Sequence, residues 1–163
     1  GVSREASDMG VERKVFRYRP IPVTIRLAEG APMGDLVRLI AAATRAGSVL
    51  FVTTALPLPQ PLIDLFGEFA SPVLIQSVVV ESDARWHARL VAGELKTTRI
   101  RLAGGDASVL AGILKGDPDV AIYGGSVTTA GRVELLPFLH EQAVSITAHR
   151  FGNPDHGMAA LVV

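Results

Sequence analysis

The chain has 163 residues, 48% of them hydrophobic and 20% charged, which is the scale of one domain with enough apolar side chain to offset the ordering entropy of a compact core. Sixteen Lys and Arg balance sixteen Asp and Glu, so there is no basic field to attract a phosphate backbone, and nucleic acid is excluded as the expected partner. The absence of cysteine removes disulfides, thiolate metal sites and thiol nucleophiles together and fits a reducing cytoplasm.

From the N-terminus, GVSREASDMG is polar and lacks the apolar core of a signal peptide. Residues 1–11 are read as a flexible linker, and Gly1, standing where Met would begin a translated chain, suggests a piece of a longer protein. Lys14 to Arg19 (KVFRYR) alternates and runs into Pro20 and Pro22, the pattern of an extended arm or flap, because proline cannot donate to a central ladder. Val23 to Leu27 (VTIRL) reads as a strand, Asp35 to Arg45 as a helix and Val49 to Thr54 (VLFVTT) as the next strand. Pro61 to Phe69 is a short helix opened by a proline, tolerated there because the first-turn amide has no intrahelical partner. Val73 to Val80 (VLIQSVVV) is a strand. Asp83 to Val91 is a helix with Asp83 as its expected cap, Arg99 to Leu102 a strand, and Asp106 to Leu114 a helix that Asp106 caps. Val120 to Tyr123, a short helix from Val133 to His140 and a strand from Val144 to His149 complete the series. No run reaches the roughly 18 to 20 apolar residues of a membrane-spanning helix.

Strands such as VLFVTT and VLIQSVVV read as near-continuous apolar runs rather than alternating ones, as expected for strands buried on both faces, and helices alternate with them. The reading is an α/β fold: a doubly wound, mainly parallel sheet of about five or six strands with helices on both faces, preceded by the extended flap. The order of the strands is not legible.

Three glycine clusters stand where a dinucleotide site would be sought: Gly30 with Gly34, Gly104 with Gly105, and Gly124 with Gly125. None completes the G-x-G-x-x-G pattern, and Asp106 would repel a phosphate from the helix start that it caps. They are read as tight strand-to-helix turns and one strand exit. His87, His140, His149 and His156 contain no pair at the i, i+4 spacing of a helical metal site. Ser145 or Thr147 with His149 would need a nucleophile at an elbow, which a strand interior does not supply. Glu134 and Glu141 are seven apart and are read as a solvated helix face, while Trp86 and Phe138 are read as packing residues. No catalytic, cofactor-binding or metal site is expected. What stands out is the turn His149-Arg150-Phe151-Gly152-Asn153-Pro154, where an aromatic beside an arginine makes a common interface anchor.

The stretch Val127 to Pro154, VTTAGRVELLPFLHEQAVSITAHRFGNP, resembles the C-terminal end of long bacterial proline utilisation A proteins, and KVFRYRPIPVTIRL resembles the start of their last domain. The similarity begins near Glu12 and covers most of the chain, leaving the tail HGMAALVV unmatched. The resemblance implies a Rossmann-like, aldehyde dehydrogenase-related domain over residues 12–155, with the flap near 14–20, a terminal lid motif near 131–154 and a tail over 156–163. It implies a parent protein carrying a proline dehydrogenase with FAD and an NAD-dependent glutamate-semialdehyde dehydrogenase upstream on the same polypeptide. The last domain is then non-catalytic, covers the tunnel through which the intermediate passes, and docks on those upstream domains through His149, Arg150, Phe151 and Asn153. Zero cysteines agree with that expectation, since an aldehyde dehydrogenase forms its thioester on one. Cytoplasmic location and no membrane span go with it, and a homodimer is compatible. The alternative reading is a free-standing NAD-binding α/β protein.

Overall fold

The computed structural model describes residues 3–8, 12–69, 74–147, 149–150 and 153–154. In chain order they form strands β1 (Ser3–Asp8), β2 (Glu12–Pro20) and β3 (Val23–Leu27), helix α1 (Met33–Ala46), strand β4 (Leu50–Thr54), helix α2 (Gln60–Phe69), strand β5 (Ile75–Val80), helix α3 (Asp83–Val91), strand β6 (Arg99–Ala103), helix α4 (Ala107–Ile113) and strand β7 (Ala121–Tyr123). A one-turn helix α5 (Gly131–Glu134), a 3-10 turn (Leu136–Phe138) and strands β8 (Leu139–Thr147), β9 (His149–Arg150) and β10 (Asn153–Pro154) follow. The chain divides into two compact units. One is Pro20–Phe138, and the other holds the two chain ends, Gly1–Arg19 and Leu139–Val163.

The Pro20–Phe138 unit is built on a five-stranded sheet in the order β5-β4-β3-β6-β7, with every neighbouring pair parallel. The chain winds outward from β3 through β4 to β5, then returns to lay β6 and β7 on the other side of β3. That is the Rossmann-like, doubly wound α/β arrangement, with its topological switch point between β3 and β6. Side chains alternate along each strand, and the register pairs Ile25 with Arg101 and Arg26 with Leu102. One face therefore carries Val23, Ile25, Leu27, Leu50 and Val52, buried with Leu36, Leu39, Ile40 and Ala43 of α1, Leu62 of α2 and Phe138. The opposite face carries Ile100 and Leu102, buried with Trp86 and Leu90 of α3 and Leu110 of α4. Removing this apolar surface from water is the main favourable term in holding the layers together.

The helix ends follow their local chemistry. Gly47 takes the left-handed conformation (φ 73°) past the last turn of α1 and donates to Ala43 O and Thr44 O, satisfying carbonyls that the helix leaves open. Asp106 caps α4 as expected, accepting from the amides of Ser108 and Val109. The expected cap of α3 is corrected by one residue: Ser82 accepts from the Arg85 amide, and Asp83 enters the first turn, where its carboxylate is committed to Arg26.

The second unit holds a three-stranded antiparallel sheet in the order β1-β2-β8. The flap expected at Lys14 to Arg19 lies within β2, the middle strand. Ser3–Asp8 is strand β1, paired with β2, where a flexible linker was expected. The expected helix Val133 to His140 is also corrected. Pro137 has no amide to donate and biases Leu136 away from the α region, so the helix stops at Glu134 and strand β8 begins at Leu139. Of the expected strand Val144 to His149, residues 144–147 lie in β8 of this antiparallel sheet rather than in the parallel one, while His149 lies in β9, which pairs with β10 in a separate two-stranded sheet. The helices are short: among the described residues none is long and apolar enough to cross a membrane.

Candidate functional site

In an open α/β sheet the ligand crevice lies outside the carboxyl ends of the strands at the switch point, which here is the meeting of the β3–α1 and β6–α4 loops. The two loops are in contact. The Ala28 amide donates to Ala103 O at 3.0 Å and the Ala31 amide to Ala28 O at 3.2 Å. Gly104 (φ 72°) approaches so closely that a Cβ placed on it would stand 2.7 Å from the Ala31 Cβ, and one on Gly105 (φ 70°) would stand 3.2 Å from the Ala28 Cβ. Both glycines are needed for their positive φ and for this contact. They let one loop close against the other, so the strand-to-helix turn read from the sequence is what they build.

What remains of the crevice is a small cavity of about 130 Å³, lined in part by Trp86, Asp83 and Asp106. Small-molecule sites occupy roughly 300 Å³ or more. The two carboxylates oppose an incoming phosphate, and each already has work to do. Asp106 holds the α4 amides. Asp83 accepts from Arg26 through Oδ1 and from the Glu29 amide through Oδ2, while its own amide donates to Glu29 Oε1. Among the described residues no group of three His, Asp or Glu is placed to hold a metal ion.

Two buried arginines organise this region, and the sequence reading passed over both. Arg26, on β3, has no exposed side-chain surface. It reaches Asp83 through Nε at 3.1 Å and through one terminal nitrogen at 2.5 Å, gives a further hydrogen bond to Glu81 O, and lies 5.2 Å above the Trp86 ring. The Glu81 carboxylate is itself buried and takes Arg89 at 2.7 Å, so β3, β5 and α3 are tied by one polar network. Arg101, on β6, points to the other face. Its fork meets Glu134 Oε1 from Nε at 2.8 Å and from one terminal nitrogen at 2.5 Å, and the other terminal nitrogen donates to the carbonyls of Leu102, Tyr123 and Gly125. Glu134 Oε2 accepts from the Thr128 amide at 2.7 Å. Glu134 is thus a buried partner of Arg101, correcting its reading as part of a solvated face. A signal for both arginines was present: VTIRL and RIRLA place a cation within strands otherwise read as buried, and a buried cation needs a partner.

Phe138 and Trp86 are fully packed, as expected. Leu136 is 52% exposed, and Leu135, Val144 and Ile146 are half-buried. Of the expected docking residues, His149 and Arg150 form β9 and Asn153 lies in β10, paired antiparallel so that Asn153 faces Arg150 and Pro154 faces His149. Phe151 lies outside the described residues.

These features define a Rossmann-like α/β unit whose switch-point crevice is occupied by its own loops. No protein-family model matches the chain, and no curated protein matches it.

Proposed function

We propose that the chain is a non-catalytic structural and interaction domain of a bifunctional, cytoplasmic proline-catabolic enzyme, covering the tunnel between a proline dehydrogenase and an aldehyde dehydrogenase module. FAD and NAD belong to those upstream modules of the same polypeptide, and this domain needs neither. The observation that best supports the reading is the switch-point contact: Gly104 against Ala31, with Asp83 and Asp106 beside it, takes the space and inverts the charge that a dinucleotide would require. The absence of any cysteine supports the same reading, as do the proline utilisation A-like stretches at both ends of the Glu12–Pro154 span. His149, Arg150, Phe151 and Asn153 then form the docking turn, with the arginine fork on a carboxylate or on carbonyl oxygens and the phenyl ring in an apolar pocket.

Two measurements test this. Thermal unfolding of the chain with increasing NAD is expected to show no shift; a ligand at 100 times its Kd would stabilise by about 2.7 kcal/mol, and a saturable rise in Tm would instead favour a free-standing NAD-binding protein. In the full-length enzyme, Arg150→Ala or Phe151→Ala is expected to weaken domain docking by about 1 to 4 kcal/mol and to introduce a lag in proline-to-glutamate turnover as intermediate escapes. Unaltered coupled kinetics in both variants would remove the lid assignment.

A further inference from the structure

Helix α1 sets Arg38, Ala41, Ala42 and Arg45 on one stripe, at the i, i+3, i+4, i+7 spacing of a single helix face. Across from that stripe stand Thr129 and Leu135, from the segment that enters and leaves α5, and the two walls flank an open cleft of about 410 Å³. The alanines open it: longer side chains at the centre of the stripe would fill the floor that these two leave low and apolar. The size falls within the range of small-molecule sites.

The cleft is cationic. Its one carboxylate, Glu134, has both oxygens engaged, Oε1 by Arg101 and Oε2 by the Thr128 amide. Arg38 gives a single terminal nitrogen to Asp35 at 2.9 Å and is half exposed. The Arg45 side chain has no hydrogen-bond or ion-pair partner among the described residues. Two guanidinium forks therefore stand at the ends of an apolar floor, their Cα atoms separated by about 10 Å along the helix axis. Each planar fork matches one carboxylate in a bidentate way. A ligand with a carboxylate at each end gives each fork its own partner.

We infer that this cleft binds a small aliphatic dicarboxylate, with one carboxylate on Arg45, the other on Arg38 and the carbon chain over Ala41 and Ala42. The site is distinct from the switch point and from the docking turn, and it does not depend on the function proposed above.

Isothermal titration of the whole chain with glutarate and adipate at low ionic strength, beside acetate and inorganic phosphate, tests the assignment. At least one dicarboxylate is expected to bind at about millimolar Kd or tighter, and about tenfold or more tighter than acetate. Arg45→Gln and Arg38→Gln are each expected to weaken it about tenfold or more, because each leaves one carboxylate without its charged fork. Ala41→Leu, which fills the exposed side of the floor and keeps both charges and a strong helix former, is expected to weaken it comparably while the thermal midpoint stays within a few degrees. Three results would each overturn the site: no heat from either dicarboxylate at tens of millimolar, acetate or phosphate binding as tightly as the dicarboxylates, or Arg45→Gln leaving their affinity unchanged.

Discussion

Arg26 and Arg101 stand on neighbouring strands of one sheet, each buried and each opposite a carboxylate, yet they are satisfied differently. Arg101 and Glu134 are almost equally enclosed, 4% and 5% exposed, and every nitrogen of the arginine has an acceptor. Arg26 is wholly buried, whereas its partner Asp83 keeps 30% of its side chain in water, and one terminal nitrogen of Arg26 has no hydrogen-bond partner among the described residues. The Trp86 ring takes part of that role as a cation–π face. The difference follows from location. Arg101 locks the closed side of the sheet, where β6, β7 and the segment from Gly125 to Glu134 must hold together without water. Arg26 sits beside the loops of the switch point, and its partner is at the surface.

The contrast predicts unequal costs. Glu134→Ala leaves a fully buried arginine without its anion and is expected to destabilise the protein by about 3 to 5 kcal/mol, read as a lower urea midpoint at unchanged slope. The double variant Arg101→Met with Glu134→Leu should recover only part of that loss, since the carbonyls of Leu102, Tyr123 and Gly125 lose their shared donor. Arg26→Met is expected to cost less, about 1 to 3 kcal/mol, because Asp83 can hydrate and an unsatisfied nitrogen is removed with the charge. A larger loss for Arg26→Met than for Glu134→Ala would reverse the ranking and show that exposure of the partner does not govern it.

The same pairs show how far the sequence could be read. Strands β3 and β6 were legible because apolar and β-branched residues dominate them, and Asp106 was legible as a cap because capping is a contact between near neighbours. The order β5-β4-β3-β6-β7 was not, because pairing β3 with β6 joins residues more than seventy positions apart through no local pattern. Glu134 was misplaced for a related reason. Its seven-residue spacing from Glu141 suggested one helix, but Pro137 ends that helix and sends the two glutamates into different elements, one onto Arg101 and the other into β8. The closed switch point was half legible: the incomplete glycine pattern argued against a phosphate cradle, while the contact of Gly104 with Ala31 depends on two loops meeting in space.

A third polar pair extends the comparison to full exposure. Tyr18 on β2 donates its hydroxyl to Glu141 on β8 at 3.0 Å. The hydrogen bond to that carboxylate, followed by its negative charge and then by slight desolvation, raises the phenol above its ordinary value of 10.0. The neutral phenol is the form that the folded state favours, so the stabilisation is fully present below pH 10.0 and is lost as pH rises through the raised value. The pair lies at the surface, where water and salt screen it, so this contribution should be the smallest of the three. In a Tyr123→Phe background, which leaves one of the two tyrosines, tyrosinate absorbance should titrate above 10.0. Adding Glu141→Gln removes the charge and should bring the midpoint down towards that ordinary value. A midpoint that does not move would mean that the Tyr18–Glu141 contact is not formed in solution, and the graded comparison would then end at the two arginines.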